Sequence, residues 1–201
     1  MTEEKISHQI DNYISDIDNL LIKLKTTFVK PINNQQKYLK QLVQRKQFLV
    51  WILKKHSLLF NAIPPNVYKR DVFYCELGFN IGSEQKDKRP VVVLQNNKGN
   101  RSSTTTIVAP ITTHENTLIK KEYGNFIIEY TNGDGKNSKK TLDYYEIPVE
   151  LEEGFRKEIK GYINLAQIRT ISKKRLSKGY VAKITVYCDS MIKDALNRLL
   201  S

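Results

Sequence analysis

The sequence predicts an α+β protein, in which a helical hairpin precedes a small antiparallel β-barrel that a C-terminal helix closes. Three observations support this prediction. Apolar residues recur every three or four positions through residues 1–60, which is the period of an amphipathic helix. From residue 67 onward the apolar residues fall into short β-branched runs between Gly, Asn and Ser, a pattern typical of strands joined by turns. The final residues return to the helical period.

Residues 1–60 are predicted to form an αα-hairpin. The first helix ends near Pro31, because proline cannot continue a helix. Asn33 or Asn34 caps the second helix, which ends before Asn61. Both helices carry an apolar side, so the hairpin has a surface to bury.

The charges of this arm are distributed unevenly. Residues 1–20 contain five acids and one Lys, whereas residues 21–60 contain nine Lys and Arg and no acid. The arm is therefore either an element that binds RNA or a partner, or a packing or oligomerisation hairpin with solvated charges. We favour the second interpretation, because charge runs on helices usually face water.

A stiff linker at residues 61–66 separates this arm from the second predicted domain, residues 67–201. The linker contains Pro64-Pro65, which cannot continue a helix. Val67–Leu77 is predicted as the first strand of the domain, and Gly78–Lys88 as a long loop.

The centre of the second domain is a pair of β-branched runs. Arg89-Pro90 opens the first run, and the second run, Thr104–Ile111, ends at Thr112. Two such runs are typical of adjacent strands, so we expect Arg89 and Thr112 to lie at the same end of the sheet. An Arg without an adjacent acid on its strand, near a hydroxyl, suits a phosphodiester.

An extended β-hairpin is predicted near residues 115–143, because Asn132-Gly133-Asp134-Gly135 is a strong turn signal. Gly161–Ile171 and Tyr180–Tyr187 are predicted as the last strands.

Asp189 or Ser190 is predicted to begin the terminal helix. Its apolar stripe, from Ile192 to Leu200, is expected to face the core. Many short strands with one closing helix favour an SH3-like barrel.

The composition narrows the classes of function. A formal net charge of +12 favours an acidic partner, with nucleic acid first. Cys75 and Cys188 lack metal or redox spacing and are predicted to be reduced core residues of a cytoplasmic protein. The histidines are scattered, and the chain has neither a phosphate loop nor a nucleophile elbow, so we expect no metal and no cofactor. The longest apolar run is too short to span a membrane.

Several motifs follow one another in an order that resembles a known family. They are Asp71-Val72-Phe73-Tyr74, Gly82-Ser83-Glu84-Gln85, Arg89-Pro90-Val91, Gln95-Asn96, Gly99-Asn100-Arg101, Ile107–Thr112 and Gln167–Ile171. From about Tyr68 to Leu200 the chain thereby resembles the MazF/PemK toxin endoribonucleases of bacterial toxin–antitoxin pairs. Relative to this family, the predicted hairpin near residues 115–143 is an insertion. The resemblance implies the SH3-like barrel of the CcdB/MazF/PemK type, usually dimeric.

The resemblance also implies an activity and its residues. It implies a type II toxin that cuts single-stranded RNA at specific sequences, without a metal, through attack of a 2′-hydroxyl on the adjacent phosphate. Arg89 and Thr112 match the catalytic pair. Because an arginine with a pKa above about 12 is a poor base, we expect Arg89 to act chiefly through its charge. The implied partners are RNA, an antitoxin with which the toxin also binds DNA, and a second copy of the chain.

Six further residues are candidates for RNA binding. Amide, hydroxyl and carboxylate groups can read unpaired bases, and cations can hold phosphate. These candidates are Ser83, Glu84, Gln85, Lys98, Arg101 and Gln167. Lys98 and Arg101 are alternatively ordinary exposed turn residues.

The chain departs from the family at several positions. Arg70 stands where the family usually has Gly. Ser83, Asn164 and Ala166 replace the His, Arg and Asp of the PemK branch, so the MazF-type Arg and Thr pair remains. His114 is either a local acid or base or a solvent-facing loop residue, and the second is favoured.

Other hypotheses stay open from the sequence. The chain is alternatively a non-enzymatic, CcdB-like inhibitor of DNA gyrase, which the presence of Arg89 and Thr112 disfavours, or a catalytically weakened RNA-binding member. Arg89 is alternatively a strand-edge residue paired with Glu84 or Glu76. The arm alternatively docks an antitoxin, another protomer or the chain's own groove.

Overall fold

The computed structural model describes residues 3–28, 34–64, 66–153 and 159–201. Its backbone divides into two compact units, Met1–Leu53 and Lys54–Ser201. The division falls before the predicted linker, because the end of the second helix belongs to the second unit, where Leu58 is buried. The predicted helix stop at Pro31, the capping alternative Asn33 and linker residue Pro65 lie outside the described residues.

The predicted pair of N-terminal helices is confirmed. Helix α1 spans Glu3–Phe28, and helix α2 spans Gln35–Leu58. Asn34 caps α2, since its side-chain oxygen accepts a hydrogen bond of 3.0 Å from the Lys37 N–H. Arg45 of α2 holds the end of α1: its guanidinium donates to the Phe28 carbonyl and lies 5.4 Å from the centre of the Phe28 ring.

Most apolar side chains of the arm remain exposed. Tyr13 and Leu20 of α1 are 70% and 64% exposed, and Leu39 and Leu53 of α2 are 62% and 73% exposed. The expected apolar sides therefore exist, but these side chains are not buried within the arm itself.

The second unit is an antiparallel sheet that curls into a small barrel, followed by a helix, as predicted. Its main sheet has seven strands in the order β10-β1-β2-β3-β8-β7, and β9 pairs with the first half of β3. The bridge between Leu151 and Ile184 joins the two edges of this path. The strands are β1 Asp71–Glu76, β2 Lys88–Val93, β3 Thr105–Thr113, β7 Glu146–Pro148, β8 Gly161–Asn164, β9 Arg169–Ser172 and β10 Ala182–Lys183.

Two helices belong to this barrel: α3, Asn97–Ser102, and α4, Val186–Leu200. The predicted start of α4 at Asp189 or Ser190 is wrong by about one turn, because the Thr185 hydroxyl accepts a hydrogen bond of 3.1 Å from the Cys188 N–H. The predicted last strand was correspondingly too long. As predicted, Ile192 and Ala195 of α4 are buried in the core, but Leu200, at the end of the expected stripe, is 81% exposed.

The insertion forms a three-stranded sheet instead of the predicted two-stranded hairpin. Its strands are β4 Glu115–Glu122, β5 Asn125–Thr131 and β6 Asn137–Thr141. The additional turn lies at Tyr123-Gly124, where both residues have positive φ, 49° and 82°. Gly124 and Asn125 are typical turn formers, so the sequence contains a signal for this turn that the predicted hairpin did not use. Ile128 and Leu142 pack against Tyr162 of β8, which attaches this inserted sheet to the barrel.

Arg70, which stands where the family that the sequence resembles usually has Gly, adopts a backbone conformation typical of glycine. Its φ is 77°, in the left-handed region that glycine occupies without strain. Arg70 donates to the Glu152 carboxylate at 2.9 Å, and its backbone joins β2 and the end of β10.

The helices described in the structure include none long and apolar enough to cross a membrane.

Candidate active site

Arg89 and Thr112 lie at one end of the barrel, on neighbouring strands. The β2–β3 ladder ends at the pair Val91 and Pro110, so Arg89 and Thr112 each lie two residues beyond it, at the same end of β2 and β3. Beyond this ladder the end of β3 pairs with β8, where Thr112 lies opposite Tyr162.

The Arg89 side chain is half-buried, and its Nε donates to the Lys86 carbonyl at 2.9 Å. Burial lowers the pKa of the Arg89 guanidinium, and Asp87 and Tyr162 oppose that shift. Within the described residues, Arg89 makes no ion pair, so the alternative of a strand-edge pair with Glu84 or Glu76 is not observed. Its terminal nitrogens therefore retain donors for a ligand.

Thr112 is joined to two other predicted residues through hydrogen bonds. Gln85 donates its Nε2 to the Thr112 hydroxyl at 3.4 Å, and its backbone N–H to the Gln167 Oε1 at 3.2 Å. Asn80 donates to the Gln85 carbonyl at 2.6 Å, which fixes the loop that carries Gln85. Because the Thr112 hydroxyl accepts from Gln85, its own proton remains available for donation.

Gly161 allows β8 to approach Thr112 closely. Its φ is +150°, and a β-carbon built on it would lie 1.9 Å from the Thr112 carbonyl oxygen. Only glycine fits at this distance. In the sequence Gly161 is only the predicted start of a strand, and its neighbours along the chain do not indicate this close approach.

A cavity of about 570 Å³ opens beside Arg89. Its described lining is basic and polar, and it contains no acidic residue. The lining comprises Tyr74, Lys88, Arg89, Pro90, Thr113, His114, Asn116, Thr117, Ile159 and Lys160. This charge pattern suits an anionic ligand such as a phosphodiester.

His114 belongs to this cavity, and the expectation of a solvent-facing loop residue is wrong. The residue is half-buried and stacks on Tyr130, with ring centres 3.9 Å apart and planes inclined by 22°. Burial lowers the pKa of His114, and the charge of Lys140 lowers it further. Tyr130 and Lys140 belong to the inserted sheet, whose packing the sequence did not reveal.

Lys140 connects the inserted sheet to β8. Its ammonium lies 2.5 Å from the carboxylate of buried Glu146 and 4.8 Å from the centre of the Tyr162 ring. Burial lowers the pKa of Lys140, but the hydrogen bond to Glu146 and the Tyr162 hydroxyl outweigh it, so the net shift is upward. Lys140 therefore carries its charge beside both Tyr162 and His114.

The remaining predicted RNA-binding residues fall into two places. Ser83 and Glu84 are exposed in the loop that carries Gln85. Lys98 and Arg101 are exposed on α3, which follows β2 at the end opposite to Arg89. Residues 89–93 alone span about 13 Å of strand, so Lys98 and Arg101 are not gathered with the Arg89 end, and their phosphate role stays a prediction.

The described part of the chain contains no cluster of three or more His, Cys, Asp or Glu side chains that could hold a metal ion. Cys75 and Cys188 are buried, and burial raises their pKa values to about 12 and about 11. Both thiols are therefore protonated core residues and not nucleophiles at neutral pH.

Comparison with known proteins identifies the family of the second unit. The family model described as "PemK-like, MazF-like toxin of type II toxin-antitoxin system" matches residues 68–200. Endoribonuclease MazF of Staphylococcus epidermidis is 32% identical over 133 residues, which cover 66% of this chain and 88% of that protein. Endoribonuclease EndoA of Bacillus subtilis (strain 168) is 36% identical over 126 residues, or 63% of this chain and 84% of that protein.

A solved structure is also similar, the MazF (Form-I) of Deinococcus radiodurans. It shares 14% identity, covers 67% of this chain and 96% of its own, and gives a TM-score of 0.46.

Proposed function

The chain belongs to the PemK-like, MazF-like toxins of type II toxin–antitoxin systems, and we propose that it is a metal-independent endoribonuclease that cuts single-stranded RNA. The observation that carries this proposal is that Arg89 and Thr112 lie at the same end of neighbouring strands, two residues beyond their last pair, and that Arg89 lines a cavity whose described lining is basic and polar. The similar proteins of S. epidermidis and B. subtilis are themselves named endoribonucleases.

The proposed reaction is an internal transfer at one phosphate of the RNA. The 2′-hydroxyl loses its proton and attacks the adjacent phosphorus, and the bond to the 5′-oxygen breaks. The products are a 2′,3′-cyclic phosphate and a 5′-hydroxyl. No water or metal enters this step, so side chains must stabilise the additional negative charge on the phosphate.

Arg89 supplies most of this stabilisation. Its guanidinium is fixed through Nε by the Lys86 carbonyl, and its terminal nitrogens form a planar pair of donors that fits two phosphate oxygens. Fixed donors need no reorganisation as the charge develops, which is why their removal costs on the order of 3 kcal/mol in the barrier.

Thr112 supplies a further donor to the same phosphate. Its hydroxyl accepts from Gln85 at 3.4 Å, and this leaves its proton for a phosphate oxygen. In this proposal the two donors reach the phosphate from the same end of the neighbouring strands β2 and β3.

Base recognition belongs to the loop and the short turn beside Thr112. Ser83 and Glu84 are exposed in this loop, and Gln85 and Gln167 are already joined by a hydrogen bond of 3.2 Å. Amide and carboxylate groups can pair with the edges of unstacked bases. We therefore place sequence specificity in these four residues.

The partners follow from charge and family. A net charge of +12 suits both RNA and an acidic antitoxin segment that competes for the same groove. A homodimer and a cytoplasmic location are part of this proposal. A gyrase inhibitor acting through α4 is disfavoured, because the stripe of α4 that contains Ile192 and Ala195 is buried in the core.

The test is a comparison of three purified proteins on one long unstructured RNA. The wild type is expected to cleave it, and Arg89→Ala to cleave at least about a hundredfold more slowly. Lys193→Ala, which removes one positive charge from an exposed position on α4, is the matched control and is expected to keep the wild-type rate. Full activity of Arg89→Ala would overturn the proposed mechanism, and toxicity that persists in Arg89→Ala and follows gyrase would favour the inhibitor.

A further inference from the structure

His114 shares a cavity with Arg89 and is a candidate for a proton-accepting group. It follows Thr112 by two residues and lines the same cavity as Arg89. The described lining of that cavity offers no carboxylate. A lysine ammonium has no lone pair to accept a proton, and an arginine is a poor base, so the imidazole is the suitable base among these residues.

The position of the His114 ring is fixed by the inserted sheet. Tyr130 of β5 stacks on it at 3.9 Å. The Thr117 hydroxyl donates to the His114 carbonyl at 2.8 Å, which fixes the backbone at the same point. The His114 ring is therefore held in one orientation on a residue that lines the cavity, and proton transfer requires such a fixed position.

The charges around His114 favour its neutral form. Burial and the Lys140 ammonium both lower its pKa, so the imidazole is unprotonated at pH 7 and can accept a proton. The titratable or charged groups that line the same cavity or act on His114 come from five places: Tyr74 of β1, Lys88 and Arg89 of β2, Tyr130 of β5, Lys140 of β6 and Lys160 just before β8. The next residue in the chain, Glu115, is acidic and exposed.

We propose that His114 is the general base of the RNA cleavage, and that the inserted sheet β4–β6 holds it in the active site through Tyr130 and Lys140. This inference rests on the proposed endoribonuclease function. One ring nitrogen of His114 takes the proton of the 2′-hydroxyl while its oxygen forms the new bond to phosphorus. The bond from phosphorus to the 5′-oxygen breaks, the 5′-oxygen takes a proton from solvent, and the imidazolium returns its proton to solvent.

The first experiment is the pH dependence of cleavage under single-turnover conditions. In the wild type, the rate rises with pH as His114 loses its proton and then levels off, because the neutral ring is the active form. His114→Asn is expected to lower the plateau at least about a hundredfold, the usual contribution of a general base, and to abolish this acid limb. Imidazole added to His114→Ala is expected to restore part of the rate.

The second experiment moves the pKa of His114 without changing the residue. Lys140→Gln combined with Glu146→Gln removes the neighbouring charge without leaving a buried carboxylate unpaired. The acid limb is then expected to shift to higher pH, since the charge that disfavours the imidazolium is gone. Lys139→Gln is the matched control: Lys139 precedes Lys140 on β6, is exposed, and pairs with Glu122 and Glu129, so the limb is expected to stay in place.

The outcomes separate this inference from the proposed function. If the wild type does not cleave RNA, the proposed function fails. If Arg89→Ala is inactive while His114→Asn keeps the wild-type rate and acid limb, the inference alone is overturned. If His114→Asn fails to fold, judged by circular dichroism, the Lys140 and Glu146 double variant decides: an unchanged limb contradicts the role of His114, and a shifted limb supports it.

Discussion

Gly161 lies so close to Thr112 that a β-carbon on it would be 1.9 Å from the Thr112 carbonyl oxygen. The pair therefore sets the distance between β8 and the end of β3. It also fixes the backbone of the threonine that, in the proposed mechanism, donates to the phosphate.

Gly161→Ala is expected to displace the end of β3 and to slow RNA cleavage by about a hundredfold, since a shift of about 1 Å in a catalytic group costs that much. Thermal stability is also expected to fall, because φ at this position is +150°. Gly133→Ala is the matched control, because open space surrounds that glycine and its φ is not positive. Equal rates for the two variants would contradict this account of Gly161.

Thr112→Val keeps the shape of the side chain and removes its hydroxyl. The single-turnover rate is expected to fall about a hundredfold or more, the usual cost of losing one donor to a developing charge. Thr112→Ser retains the hydroxyl and is expected to lose far less. A valine variant as fast as the serine variant would mean that the hydroxyl gives no hydrogen bond to the transition state.

Arg70 offers a test of backbone strain away from the proposed chemistry. Its φ of 77° costs a non-glycine residue about 1–2 kcal/mol. Its half-exposed ion pair with Glu152 returns about 0–1 kcal/mol. Arg70→Gly is therefore expected to be more stable than Arg70→Ala by about 1 kcal/mol in urea denaturation.

At an ordinary strand position the Ala variant is more stable than the Gly variant, which is the reverse of the order expected at Arg70. Such a position therefore provides the control. Lys120 is an exposed residue of β4 whose φ is not positive, and there the Ala variant is expected to exceed the Gly variant. If Arg70 shows the same order as Lys120, its backbone is not strained.

The two cysteines predict how stability changes in alkali. Burial raises the pKa of Cys75 to about 12 and that of Cys188 to about 11. The unfolded chain therefore loses these thiol protons first, and stability is expected to fall as the pH rises above about 9. Between pH 8.5 and 10.5 the urea midpoint of Cys75→Ala is expected to fall less steeply than that of the wild type. Parallel slopes would contradict burial of the Cys75 thiol.

The sequence revealed those parts of the molecule that depend on local pattern. The arm helices follow from the apolar period, and two adjacent β-branched runs indicate the neighbouring strands β2 and β3, whose ends carry Arg89 and Thr112. The turn that caps α4 was misplaced because a threonine, an aspartate and a serine within six residues are all capable caps.

The parts that the sequence did not reveal depend on contacts between distant segments. The sequence did not indicate that His114 is half-buried, because its stacking partner, Tyr130, is 16 positions further along the chain, on β5 of the inserted sheet. Gly161 reads as an ordinary strand residue until β3 is placed beside it. Only the resemblance to the family indicates that Gly is usual at the position of Arg70. The positive φ of Arg70 is a conformation that glycine adopts without strain.

The most direct test of the central claim is the chemistry of the cleaved ends. Wild-type protein is incubated with one long unstructured RNA in excess EDTA, and the termini are mapped. The account predicts cleavage at a short recurring sequence, with a 5′-hydroxyl and a 2′,3′-cyclic phosphate or 3′-phosphate at each cut, and no such cuts with Arg89→Ala. Cleavage that EDTA abolishes, or cuts that leave a 5′-phosphate and a 3′-hydroxyl, would contradict it.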